Sequence, residues 1–434
     1  MTEHSTQETR SRAVLVGLNA FHLSKEENAT EASMDELSAL LETAGGETVG
    51  MVMQSKDSPD PRTFIGEGKV AEVKELVQSM DADMVILDNS LSPSQQRALS
   101  EDLGVVVLDR SALILDIFAQ RARTREGRLQ VELAQYKYLL PRLTGMWGHL
   151  VRQTASGGKS PIGTRGPGET QLETDRRHIR RKISKLEEEL KEVRRVRATQ
   201  RERRIKNEVP VAAIVGYTNA GKSTLLNKLT DSDIPANNRL FDTLDTTTRT
   251  LEISDTCTIL LSDTVGFIRK LPHHLVEAFK ATLEELTFAD LLLHVIDTSN
   301  KEWREQAEVV DQLIHELGAD RTPRIEVFNK CDCWDGDIRP HGDNIVSISA
   351  KTGEGLPDLL AAIARQLDNG AKRVIIHLPY DKGGLLDMLY QEAKVESVDY
   401  SETIDVAAIC TPKLIGQLGP MVEGWRPKKE PWQD

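Results

Sequence analysis

Cysteine is scarce in this 434-residue chain, which has only Cys257, Cys331, Cys333 and Cys410. So few thiols cannot form a disulfide framework for a chain of this length, and one residue between Cys331 and Cys333 is shorter than the usual zinc spacing. Long apolar runs are missing as well: none reaches the ~18 residues of a membrane-spanning helix, and the polar start from Met1 to Arg12 lacks the apolar core of a secretory signal. The expectation is a cytoplasmic protein with reduced thiols and no membrane span. Aromatic residues make up 4% of the chain, and 55 Lys and Arg are outnumbered by 68 Asp and Glu, leaving a formal charge of −13. An acidic surface repels polyanions in general. The length allows about three domains with substantial cores.

The most informative run is Gly216-Tyr217-Thr218-Asn219-Ala220-Gly221-Lys222-Ser223-Thr224, which follows the apolar segment Val211 to Val215 and precedes a helical one from Leu225. Strand, glycine loop and helix together make a phosphate cradle. Gly216 and Gly221 let the backbone curl so that N–H groups converge on phosphate oxygens, and the helix N-terminus adds partial positive charge. Lys222 is placed to bridge the β- and γ-phosphates, and the Ser223 hydroxyl to ligate Mg²⁺. Downstream, the run Thr258 to Ser262 ends in Asp263-Thr264-Val265-Gly266. There Asp263 would hold Mg²⁺ through water, and the Gly266 N–H would bond the γ-phosphate.

Two further strand-like runs end in polar motifs. Arg324 to Phe328 leads into Asn329-Lys330-Cys331-Asp332, where the aspartate can accept from guanine N1–H and the exocyclic amine, a pattern adenine does not offer. Asn344 to Ile348 leads into Ser349-Ala350-Lys351, whose backbone would meet the guanine O6. Four fragments in this order, each at the C-terminal end of a strand, sit where ligands of open α/β sheets bind. Between the first two lies Leu240-Phe241-Asp242-Thr243-Leu244-Asp245-Thr246-Thr247-Thr248-Arg249, where a threonine should complete the Mg²⁺ shell. Position alone leaves Thr243, Thr246, Thr247 and Thr248 open.

These residues predict a GTPase acting by phosphoryl transfer to water, a reaction governed by positioning and charge. Phe267 stands directly after the Asp263–Gly266 motif, where a water-orienting glutamine is often found. An apolar ring cannot orient water, so slow hydrolysis that a partner accelerates is expected. Asn219 offers a place to help hold a monovalent cation such as K⁺.

Charge is unevenly distributed. Between Arg176 and Lys206 fourteen basic residues stand against five acidic ones, a net of +9, so the remainder carries −22. The same segment spaces Ile179, Ile183, Leu186, Leu190 and Val193 by three and four, as Leu129, Leu133, Tyr136, Leu140 and Leu143 are spaced earlier. Two such helices can zip into an antiparallel hairpin. Between them lie Gly157, Gly158, Gly163, Gly166 and Gly168 with Arg152, Lys159 and Arg165, a flexible cationic tip. A rigid stalk ending in basic, glycine-rich chain fits contact with RNA phosphates and bases.

The fold class is therefore α/β in four parts. After a disordered tail at 1–12, residues 13–122 alternate strands and helices and predict an N-terminal parallel α/β domain. Phe64 to Lys69, despite its glycines, reads as a turn there. The helical hairpin with its glycine-rich basic tip covers 123–206 and a P-loop GTPase domain 207–370. Within the latter, Leu275, Phe279, Leu283 and Leu286 form a helical stripe for the core. A small α+β C-terminal domain covers 371–434, with strands at Val374 to Leu378 and Ile404 to Ile409, a helix at Leu385 to Ala393 and a last short helix.

The chain resembles the HflX-type GTPases through GYTNAGKSTL at Gly216 to Leu225, LFDTLDTTTR at Leu240 to Arg249, DTVGFIRKLPHHLVEAFKATLEE at Asp263 to Glu285, and GTRGPGETQLETDRR at Gly163 to Arg177. The resemblance implies a translation-factor-class GTPase that binds the 50S ribosomal subunit and its rRNA, and that splits or rescues stalled or idle ribosomes. It implies that Thr243 joins Ser223 as a Mg²⁺ ligand and that Phe241, Asp242, Leu244 and Asp245 line the nucleotide. On this reading Lys222, Thr243 and Gly266 carry catalysis in a monomeric protein that binds GTP and GDP. The family usually has proline where this chain has Thr246. The alternatives are a GTPase of subunit assembly or of tRNA, and a scaffold stabilised by nucleotide.

Overall fold

The computed structural model describes residues 10–24, 27–143, 167–206, 209–232, 240–244, 247–254, 257–271, 275, 279, 283–334, 336, 339–367, 372–401 and 403–424. Most of the expected tip, with Arg152, Lys159 and Arg165, lies outside the described residues, as do Asp245, Thr246 and most of the tail.

Strand β1 (Arg12–Ala20) starts inside the segment read as tail. Arg12 pairs with Glu47 and donates its N–H to Asp83 Oδ2 at 2.8 Å, which fixes the chain one residue early. It is followed by α1 (Glu31–Thr43), β2 (Glu47–Lys56), α2 (Glu67–Ser79), β3 (Met84–Leu87), α3 (Pro93–Leu103) and β4 (Val106–Asp109). The strands form a parallel sheet in the order β2-β1-β3-β4. On β1, Val14, Val16 and Leu18 join one apolar cluster while Ala13 and Leu15 join another, as a strand covered on both faces requires. Capping boxes at Thr30 and Ser92 start α1 and α3.

A helix that was not expected, α4 (Arg110–Arg121), leaves β4 without a loop. Asp109 caps it, accepting from Ala112 N at 2.9 Å, and Ile114, Ile117 and Phe118 are buried along it. Next come α5 (Arg125–Leu139) and the long basic α6 (Pro167–Lys206), which takes in Gly168 from the expected tip. Leu129 and Leu133 pack on Leu186 and Leu190. The pairs Glu126–Arg197 at 2.7 Å and Lys137–Glu187 at 3.0 Å set the two helices antiparallel. The stripe stops short of Leu140, which opens a 3₁₀ turn because Pro141 cannot continue the helix.

The nucleotide motifs are carried by β5 (Val211–Gly216), α7 (Lys222–Thr230), β6 (Thr247–Ser254), β7 (Cys257–Asp263), β8 (Leu291–Asp297), α8 (Trp303–Glu316), β9 (Arg324–Asn329), β10 (Ile345–Ser347) and α9 (Leu356–Leu367). The sheet order is β10-β9-β8-β5-β7-β6, parallel except for β6 against β7. Thr247 and Thr248, open as Mg²⁺ ligands on position alone, are ladder residues of β6 paired with Asp263 and Ser262. Leu275, Phe279, Leu283 and Leu286 are buried as expected.

The C-terminal unit comprises β11 (Lys372–Leu378), α10 (Gly384–Glu392), β12 (Lys394–Tyr400), β13 (Ile404–Cys410) and α11 (Pro412–Leu418), with an antiparallel sheet β11-β13-β12 and its own apolar cluster. Strand β12 was missed, since an edge strand of sequence KVESVDY buries little and carries little apolar signal. No helix of the described residues is long and apolar enough to cross a membrane.

The N-terminal and nucleotide-motif regions share one apolar cluster, running from Leu113, Ile117 and Phe118 to Tyr217, Phe241, Phe267 and Phe279. A buried ionic group joins them too. Arg110, 1% exposed, pairs with Glu36 and, at 2.7 Å, with Asp88; Asp88 also pairs with Lys270, and Glu36 accepts from the Tyr217 hydroxyl at 2.7 Å. Burial works against the Arg110 charge, but Glu36 and Asp88 outweigh it and leave its pKa above the ordinary value. Because removing one partner strands the others in low dielectric, Arg110→Ala should cost about 3–5 kcal/mol in urea unfolding. An unchanged unfolding midpoint would show that the group does not hold these regions together.

Candidate functional site

The four expected fragments lie along one sheet edge because β5, β7, β9 and β10 are parallel and end there. Between β5 and α7 the chain must turn tightly. Gly216 has φ 155°, and a Cβ there would lie 2.3 Å from Val295 O; Gly221 has φ 95°, and a Cβ there would lie 2.2 Å from Asn329 Nδ2. Neither position admits a side chain.

The resulting cleft is lined by Thr218, Asn219, Gly221, Lys222, Ser223 and Thr224 of the loop, by Phe241, Asp242 and Thr243, and by Gly266. Lys222 Nζ is buried and donates to Gly216 O at 3.1 Å and Tyr217 O at 2.7 Å. Burial lowers its pKa to about 8, with Asp263 opposing the shift. Ser223 Oγ donates to Asp263 Oδ2 at 2.8 Å and lies 2.7 Å from Thr243 Oγ1. Asp263 is fully buried, its carboxyl raised above the ordinary value by burial, and its Oδ1 has no hydrogen-bond partner among the described residues. An orphaned carboxylate oxygen beside two hydroxyls is a hard-oxygen set that fits Mg²⁺. Of the threonines left open by position, the described geometry brings Thr243 to this point.

The segment after Asp263 folds back on the loop. Thr264 Oγ1 donates to Ile214 O at 2.7 Å, Thr218 N to Phe267 O at 2.7 Å, and Phe267 N to Gly216 O at 3.2 Å. Val265 and Phe267 are buried in the shared apolar cluster, so the Phe267 ring faces the core.

At the other end, Asn329 Nδ2 donates to Ala220 O at 2.8 Å, joining the phosphate loop to the strand ends. In the Ser349-Ala350-Lys351 run, whose backbone is expected at the guanine O6, the Ala350 N–H donates to Asn329 Oδ1 at 2.9 Å. Lys330, at φ 62°, pairs with Asp297 at 2.6 Å. Cys331 is buried, its N–H donating to Ile348 O at 3.0 Å. Asp332 is exposed, and the Ser349 hydroxyl holds its carboxyl below the ordinary value, keeping it ionised as an acceptor. Lys351 is exposed beside it. Asp297 and Thr298, whose hydroxyl donates to Asn329 O at 2.7 Å, were missed. Their signal was the apolar run Leu291 to Ile296 ending in an acid, the pattern already used for the other motifs.

Family models match in sequence along nearly the whole chain: "GTP-binding GTPase N-terminal" at residues 31–119, "GTP-binding GTPase Middle Region" at 121–204, "50S ribosome-binding GTPase" at 211–330 and "HflX C-terminal domain" at 339–409. The chain is 49% identical over 411 residues to the GTPase HflX of Caldanaerobacter subterraneus, covering 94% of this chain and 93% of that one. It is 45% identical over 370 residues to the GTPase HflX of Escherichia coli, covering 84% and 85%. A solved GTP-binding protein of Sulfolobus solfataricus, in complex with GDP, aligns with 82% of this chain and 99% of its own at 25% identity and a TM-score of 0.42.

A phosphate entering the cleft would raise the Lys222 pKa from about 8, so binding takes up a proton above that pH. Nucleotide affinity should therefore be flat below about pH 8 and fall above it, by at most about tenfold per pH unit. Calorimetry between about pH 7 and 9 checks this, with Lys222→Arg, always charged, as the flat control. Equal slopes for both proteins would contradict the assignment.

Proposed function

This chain belongs to the HflX family of GTPases, and from that premise we propose that it couples its nucleotide state to the 50S ribosomal subunit and splits or rescues stalled or idle ribosomes. The observation that carries the reading is the convergence of Ser223, Thr243 and Asp263 beside Lys222 and Gly266. On this reading Ser223 and Thr243 would hold Mg²⁺ directly and Asp263 through water, and the ion would supply positive charge to the β- and γ-phosphates. Lys222 leaves the carbonyls of Gly216 and Tyr217 for the phosphates, and the Gly266 N–H bonds the γ-phosphate. Binding the third phosphate then pulls on the segment that Phe267 zips to the phosphate loop, so this segment reports GTP against GDP.

Asp332 selects guanine, and Asn329 acts by holding the phosphate loop and Ala350 in register. Asn219, exposed at φ 61° in the loop, is the place for K⁺. With the Phe267 ring in the core, no side chain at that position orients water. Turnover therefore waits for a partner to complete the site. The basic hairpin supplies the rRNA contact, its charge set against an otherwise acidic protein. The protein works as a monomer in the cytoplasm.

Sedimentation of the full chain with purified 50S and 30S subunits, in a non-hydrolysable GTP analogue and in GDP, tests this. Co-sedimentation with 50S in the analogue, weaker in GDP and weaker as salt rises, is expected. Binding that ignores the nucleotide, or prefers 30S, would contradict it.

A further inference from the structure

Three successive residues of the threonine-bearing loop are held by three different groups. Phe241 is buried with φ 56°, a left-handed conformation unusual for a bulky side chain, and donates its N–H to Thr218 Oγ1 at 3.0 Å. Its ring meets that of Phe118 edge-on, with centroids 4.7 Å apart. Asp242 Oδ1 lies 3.5 Å from Arg121 Nη1, and the Thr243 hydroxyl lies 2.7 Å from Ser223 Oγ.

Phe118 and Arg121 are three residues apart on α4, so both point from one face of a helix that belongs to the N-terminal sheet domain. Phe118 is fixed in turn by Phe279, at 5.0 Å between centroids, and by the shared core. Asp242 has a nearly buried side chain while that of Arg121 is about one-fifth exposed, at 9% and 22%. An acid so placed beside Thr243 is drawn toward the guanidinium. A backbone in the left-handed region persists only when its surroundings hold it. Here one surrounding element is α4.

We propose that Arg121 and Phe118 are positioning residues for phosphoryl transfer: α4 of the N-terminal domain clamps Phe241 and Asp242 and thereby presents the Thr243 hydroxyl to the Mg²⁺ and γ-phosphate position. The N-terminal domain thus completes the nucleotide site in cis. Arg121 acts through Asp242 and not on the phosphate. The inference rests on the reading of Thr243 as a Mg²⁺ ligand.

The test uses the full chain, a fluorescent non-hydrolysable GTP analogue and, separately, fluorescent GDP, each titrated with Mg²⁺ for the native protein and the variants Thr243→Ala, Arg121→Ala, Arg121→Lys and Phe118→Leu. Arg121→Ala should raise the Mg²⁺ concentration for half-maximal analogue binding by about three- to fivefold, the scale of a partly exposed ion pair, and leave GDP affinity unchanged. Arg121→Lys restores most of the native value, Phe118→Leu shifts it the same way as Arg121→Ala, and Thr243→Ala shifts it furthest. A shift in Thr243→Ala with none in Arg121→Ala or Phe118→Leu would overturn the clamp and leave the site reading standing. No shift in any variant would overturn both. Equal losses for analogue and GDP in Arg121→Ala would mark a merely structural role and also overturn it.

Discussion

A carboxylate sealed from water at the end of a strand needs positive charge, and Asp263 is such a group. Lys222 is the buried cation near it, and burial loosens the lysine's own proton. Two hydroxyls, from Ser223 and Thr243, bring partial compensation on one side, and Oδ1 has no partner among the described residues. A dication accompanying phosphates would supply the missing positive charge. The glycines of the loop, the parallel strands and the start of α7 all serve to bring these atoms to one point.

That point is not confined to one domain. The apolar cluster beneath it runs on through Phe118, Phe241 and Phe279, and the buried ions of Arg110, Glu36, Asp88 and Lys270 close the same interface. Tyr217, inside the phosphate loop, gives its hydroxyl to Glu36 and accepts from the Arg269 N–H at 2.8 Å. A change at the third phosphate therefore meets a packed, charged boundary that resists small continuous shifts and favours discrete ones. The C-terminal unit, by contrast, encloses a core of its own.

Most of the candidate nucleotide site was legible in the sequence because its motifs sit at strand ends and need particular residue types: glycine where the backbone excludes a Cβ, a carboxylate where a base or cation would bind. The hairpin was legible through its spacing, as Leu129, Leu133, Leu186 and Leu190 bear out. What escaped was of two kinds. Strands β6 and β12 are polar or edge-placed, so alternation was weak, and Thr247 and Thr248 looked like loop residues until their ladder with β7 was seen. Contacts between distant segments, such as Asp242 with Arg121 or Tyr217 with Glu36, leave no periodic trace at either end.

The central claim is that Asp332 and the Asp263 centre together make a magnesium-dependent site for guanine nucleotides. Calorimetry of the purified chain with GTP and with ATP, in saturating Mg²⁺, tests it most directly. GTP should bind at least about a hundredfold more tightly, since a carboxylate matched to two donors is left without partners by a base that lacks them. Comparable affinities for the two nucleotides would contradict the account.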